Sequence, residues 1–209
     1  YAATGDPVFA DRAKTIVAGM KADVTAPPAG YPSDMRGVLL HRPAVHEGST
    51  QPDMIMSPWM SALLGDALWH YYLLSEDRVS LEFLSSYAQF IAERGLHSDP
   101  GSSALGQYSA PWYLAGLLGG YGDAGIEVDI EHNLDVHGLL LRGRWARAQL
   151  GLPVTDIDRV LPNLRAGAMY NLASWHRSTA NLPRYRLSPT RKFGWWFGTT
   201  HDSDWFASR

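Results

Sequence analysis

The chain has no cysteine among its 209 residues, which excludes disulfides, thiolate zinc sites and thiol nucleophiles. That absence fits the cytoplasm and a cysteine-poor secreted bacterial protein alike, and the periplasmic or secreted setting is the preferred reading. Long apolar runs are missing too. None approaches the roughly 18 to 20 residues that span a bilayer, and the start has no basic segment followed by an apolar signal core, so no membrane partner is expected. Charge of one sign is scarce: 18 basic residues face 21 acidic ones, for a net charge of −3. Without a basic run to track phosphates, nucleic acid is not an expected partner. There is no phosphate loop, no nucleophile elbow and no dinucleotide fingerprint. Gly119-Gly120-Tyr121-Gly122 lacks a preceding strand and reads as a connector. No cofactor is expected.

What the chain does have is apolar content of 45%, enough to bury a core, and aromatics weighted to those with a polar tip, 8 Trp and 10 Tyr against 6 Phe. Such residues stack on sugar rings at a cleft rim, and they also serve as core filler with a satisfied N–H or O–H. It also has a repeat. Tyr1-Ala-Ala-Thr-Gly-Asp-Pro-Val8 returns as Tyr72-Leu-Leu-Ser-Glu-Asp-Arg-Val79 and, less closely, as Gln149-Leu-Gly-Leu-Pro-Val154. The valines align at separations of 71 (79 − 8) and 75 (154 − 79) residues. Each copy sits between helical patterns, so the spacing predicts an array of helical hairpins, all-α in class, with function in the connecting loops. Residue 1 falls inside a repeat copy, and the chain is expected to begin mid-fold, as the C-terminal portion of a larger protein or a trimmed product.

A first helix is expected from Pro7 to about Ala22, N-capped by Asp6. Residues 23–57 are rich in Pro and Gly, and the embedded Val38, Leu39, Leu40 and Met54, Ile55, Met56 predict an ordered loop. A helix from Pro58 to about Leu74 is apolar nearly all round and is expected to be buried between layers. An amphipathic helix follows over Arg78 to Arg94, closed by Gly95. After a Gly/Ser loop at 98–106, a short helix is expected around Pro111 to Leu118. Long helices are then expected over Ile130 to Leu150 and Thr155 to Arg177, the second interrupted by Pro162. Residues 182–209 read as an irregular aromatic tail whose Trp195 and Trp196 cap the array. His70 and His176 read as hydrogen-bonded core histidines.

Alternating buried and amphipathic helices joined by a Tyr-x-x-(Thr/Ser)-(Gly/Glu)-Asp turn resemble the α/α toroids of the six-hairpin glycosidase and polysaccharide lyase superfamily. The resemblance is carried by Tyr1 to Asp6, by Trp59 to Asp77, and by Glu131-His132-Asn133-Leu134-Asp135 with the helix that follows to Gly151. It implies a partial (α/α)6 toroid, a carbohydrate substrate, and loops before the inner helices that carry the catalytic groups. It further implies that the missing N-terminal half, or another copy of the chain closing a ring, is a partner.

Two segments carry the candidate chemistry. The loop from Ser33 to Trp59 holds Asp34, Arg36, His41, His46, Glu47, Asp53 and Trp59. His46-Glu47 is a candidate acid/base pair, since a carboxyl in an apolar cavity is raised in pKa and imidazole titrates near neutrality. The other reading is a loop whose polar side chains satisfy its own backbone. At the start of the second buried helix, Glu131 and Asp135 share a face at i,i+4, and His132 and Asp135 share one at i,i+3. Carboxylates there could act with Glu47 across a cavity on a glycosidic bond; the alternative is plain capping of the helix dipole. The catalytic candidates are thus His46, Glu47, Glu131 and Asp135. Arg36, Trp59, Tyr108, Trp112, Tyr113, His132 and Asn133 are candidates for binding substrate, either as sugar platforms or, in a lyase, as a base with groups that neutralise a uronate. No metal is expected, because His132 and His137 lie five apart rather than four. A non-catalytic helical scaffold that binds protein or glycan on its concave face is the reading from another class.

Overall fold

The repeated turn sets the frame of the fold. At the first copy Gly5 adopts a left-handed backbone (φ 70°), and at the aligned positions Glu76 (φ 54°) and Gly151 (φ 71°) do the same. In the first two copies the next residue is an aspartate in an extended conformation, and it caps a helix. Asp6 Oδ1 accepts from the Val8 amide at 3.0 Å, and Asp77 Oδ1 from the Val79 amide at 2.9 Å. The aligned hydroxyls match as well: Thr4 Oγ1 and Ser75 Oγ each accept from the aspartate amide at 3.2 Å. The third copy, with Leu152 in place of aspartate, keeps only the left-handed residue. It closes its helix with a bond from the Leu152 amide to the Arg147 carbonyl at 2.9 Å.

The computed structural model describes residues 4–45, 52–97, 108–123, 128–178 and 200–209, with side chains except at 45 and 171–178. It is mostly helical. The helices are α1 (Pro7–Thr25), α2 (Pro58–Ser75), α3 (Arg78–Phe90), α4 (Asn133–Gln149), α5 (Thr155–Ser178) and the short α6 (Ser203–Ala207). Pro162 lies inside α5, which continues through it. A single π-type turn, Ile91–Gly95, extends α3, and a 3-10 turn, Ile130–His132, leads into α4. Small antiparallel strands fill the connections. β1 (Ile55–Met56) pairs with β4 (Leu114–Gly116), which pairs with β5 (Gly120–Tyr121); separately, β2 (Leu96–His97) pairs with β3 (Ala110–Pro111).

The most extensive packing joins α3 and α4. Gly143 permits it: a Cβ there would lie 2.6 Å from the Leu84 carbonyl oxygen and strike Ala88. Two residues along α4, Trp145 joins an aromatic cluster around Trp69, with Trp145 and Phe206 edge-on to it at centroid separations of 5.3 and 4.9 Å. The loop before α2 is ordered where it is described. Met35, Val38 and Leu40 are buried, and the Leu39 amide donates to the Tyr87 hydroxyl at 3.0 Å.

Several expectations change. The Pro111 to Leu118 segment is strand rather than helix, because Ala110, Pro111 and Leu114 to Gly116 pair with β2 and β1, and tertiary pairing overrides a short apolar run. A strand therefore does precede the 119–122 glycines, but Gly120 and Tyr121 form β5, paired back on β4, so the segment makes a hairpin and not a phosphate loop. The helix α2 is not buried all round: Met60 is 50% and Leu73 58% exposed. His70 is on that open face, its Nδ1 against the Asp66 carbonyl, and is no core histidine. The tail ends in helix α6, whose Phe206 is core. Trp195 and Trp196, and the His176 side chain, lie outside the described residues.

Candidate functional site

The openings of α2 and α4 meet. Trp59 is the second residue of α2, and His132 immediately precedes α4. Their rings lie nearly parallel, 18° apart, with centroids 4.6 Å from each other. His132 Nδ1 contacts Asp135 Oδ2 at 2.5 Å, and both side chains are buried, at 5% and 3% exposure. With a carboxylate as acceptor, Nδ1 carries the proton and the lone pair of the neutral ring sits on Nε2. The carboxylate stands in the first turn of α4, where the helix dipole favours negative charge. Geometry and electrostatics thus hold one tautomer in one orientation, as a proton-transferring imidazole requires.

The adjoining Asn133 fastens a second segment to the site. Its Nδ2 donates to the Ser109 carbonyl at 3.3 Å, and the Ser109 amide donates to Asn163 Oδ1 at 2.5 Å. Gly167 of α5 lets this happen, since a Cβ there would sit 2.9 Å from both Asn133 Nδ2 and the Ser109 oxygen. Asn133 Oδ1 is buried with no hydrogen-bond partner among the described residues. The clamp carries Tyr108, whose ring lies 5.4 Å from that of Tyr170.

The remaining candidates scatter. Glu131 is half-buried in the 3-10 turn, so it does not share an α-helical face with Asp135, because α4 begins only at Asn133. Arg36, held in a left-handed conformation with its amide on Asp34 Oδ1, pairs with Glu93 at 2.7 Å rather than with the His132 cluster. His41 pairs its backbone with Ile55. Asp53 is buried as a brace, accepting from the Leu118 amide at 2.6 Å and the Tyr121 hydroxyl at 3.2 Å. Trp112 stands edge-on to His97 at 4.5 Å and covers Gly120. Tyr113, beside it, is half-buried. His46 and Glu47 lie outside the described residues. Among the described residues no group of three or more His, Asp or Glu side chains is arranged to hold a metal ion, and no helix is long and apolar enough to cross a membrane.

Two features carry no local signal in the sequence. Arg142, in the middle of α4, is fully buried. It donates to both oxygens of Asp202 at 3.2 and 2.9 Å and lies 3.1 Å from Asp66, tying α6 and α2 to α4. His137 is also buried, and burial first, then the Arg165 charge, lowers its pKa to about 4. Only the partners, distant along the chain, reveal these roles.

No known family, curated protein or solved structure matches the chain.

Proposed function

We propose that the chain is a carbohydrate-active enzyme of the α/α-toroid kind, cleaving glycosidic bonds of an oligo- or polysaccharide. The observation that carries this reading is the buried His132–Asp135 pair stacked on the half-buried Trp59 at the junction of two helix openings. Trp59 offers the type of ring on which a pyranose stacks. His132 Nε2 takes a proton from the attacking water, Asp135 holds the imidazolium that forms, and Glu131 supplies the proton to the leaving oxygen. Asp135 is then a positioning residue, not a free acid. His46-Glu47, which precede Trp59 in the chain, complete the acid/base set in this proposal. The recurrence of one turn geometry at Gly5, Glu76 and Gly151 supports the toroid as its frame.

A second reading, β-elimination on a uronate, is favoured by one feature: a single imidazole, not a pair of free carboxylates, dominates the site. One experiment separates the readings. The chain and its His132→Gln, Asp135→Asn and Glu131→Gln variants are incubated with neutral and uronate polysaccharides, following reducing ends and ultraviolet absorbance together. Hydrolysis yields reducing ends alone, and elimination adds an absorbing unsaturated uronate. Turnover unchanged in all three variants would sink both. Glycan binding without turnover by the unaltered chain would leave the binding scaffold.

A further inference from the structure

Five residues beyond His132, α4 presents another buried histidine of the chain to a different environment. His137 lines an open pocket of about 450 Å³ between α4, α5 and α6, within the size range of small-molecule sites. Leu141 of α4, Leu161 of α5 and Phe206 of α6 give it an apolar floor. Its polar groups are few and unequal. Arg144 is already neutralised, its Nε 2.5 Å from Asp158 Oδ1. Arg165 is exposed at the cavity and makes no ion pair among the described residues. His137 is only 7% exposed, and it lines this pocket. A polar group bound in the pocket would therefore find the imidazole and the Arg165 guanidinium on its wall.

We propose that this cavity binds a small organic monoanion, a carboxylate carried on an apolar body, with the carboxylate between Arg165 and His137 and the body on Leu141, Leu161 and Phe206. The charge balance selects the class. Arg144 and Asp158 cancel, and His137 is neutral at pH 7 because burial and Arg165 both oppose its protonation. One net positive charge remains, on Arg165, whose planar fork matches a carboxylate. A phosphate monoester would bring nearly two negative charges to that single one. A fully polar ligand would leave the apolar floor unused. The site goes beyond the glycan-cleaving reading and does not depend on it.

The probe is phenylacetate, titrated calorimetrically into the full chain at pH 7 beside phenylacetamide, which has the same body without charge, and acetate, which has the charge without the body. Phenylacetate is expected to bind with a Kd of about 1 mM or tighter, and each of the others at least about tenfold more weakly. Arg165 is exposed, so Arg165→Gln should fold normally, as far-ultraviolet circular dichroism would verify. It is expected to weaken phenylacetate at least about tenfold while leaving phenylacetamide unchanged. In proton NMR, the imidazole signals that vanish in His137→Gln should be the ones phenylacetate shifts. Binding of phenylacetamide or acetate as tight as that of phenylacetate would overturn the proposal. So would an Arg165→Gln variant with unchanged affinity, or no heat and no His137 shift at about 10 mM phenylacetate.

Discussion

His132 and His137 stand five residues apart at the start of one helix, both buried, and they differ in where their company comes from. His132 meets a carboxylate three residues further along its own chain, at 2.5 Å. His137 meets a cation, Arg165, delivered by the next helix, and burial holds its pKa near 4. One imidazole is oriented by an anion and the other is kept neutral beside a cation, although composition and depth are alike. Burial alone therefore says little about what a histidine does; the sign and origin of the neighbouring charge decide it.

The sharpest way to break this contrast is to remove the anion. Asp135→Asn leaves the shape of the site but no longer fixes the Nδ1–H tautomer or offsets charge on the ring. Turnover on the responsive polysaccharide is expected to fall by roughly 10² to 10⁴-fold, with little change in melting temperature. A loss under threefold would show that the pair is a helix-opening brace and nothing more.

The same helix offers another buried polar side chain, and its removal should act on stability. Arg142 holds Asp66 and Asp202 together. Arg142→Met would leave two carboxylates facing each other across an apolar gap, at a cost of about 3 kcal/mol, since breaking a buried ion pair from one side leaves charge uncompensated. Urea unfolding would measure it. A double variant, Arg142→Met with Asp202→Asn, should recover part of the loss, and no recovery would locate the effect in packing instead.

For His137 the handle is pH. Its folded pKa, about 4, lies below the unfolded value of 6.5, so between those values the unfolded chain binds the extra proton. Stability from this group is complete above pH 6.5, falls as pH drops, and levels off below about 4. The expected loss between pH 7 and 4.5 is about 2 kcal/mol. Carboxylates titrate in the same window, so the measurement is the difference in urea midpoints between the chain and His137→Gln at the two pH values. Parallel curves would mean that His137 is solvated.

How much of this was legible in the sequence follows the same division between near and far partners. The caps at Asp6 and Asp77, the length of α1, α2 and α3, and the i,i+3 relation of His132 and Asp135 are written within a few residues of each group, and spacing finds them. The strand identity of 110–116, the open face of α2, the Trp59–His132 stack and the engagement of Arg36 with Glu93 depend on pairing across tens of residues. Periodicity read Pro111 to Leu118 as a helix because a short apolar run fits either structure until a partner strand is known. Apolar content read α2 as buried, because hydropathy does not say whether a neighbour is present to cover Met60 and Leu73.

The smallest effect tests the most local feature. Gly5, Glu76 and Gly151 occupy equivalent left-handed positions, but only Glu76 carries a Cβ there. That conformation costs an L-residue roughly 1–2 kcal/mol, while introducing glycine gives back about 0.4–1 kcal/mol through greater freedom of the unfolded chain. Glu76→Gly should therefore raise stability by about 0.5–1 kcal/mol, and Gly151→Ala should lower it by a similar amount, both read from denaturant midpoints at constant slope. Opposite signs at the two positions would establish that the three turns are energetically as well as geometrically equivalent. If Glu76→Gly instead lost stability, the Glu76 side chain would be making an interaction worth more than its strain, and the repeat would be a likeness of backbone only.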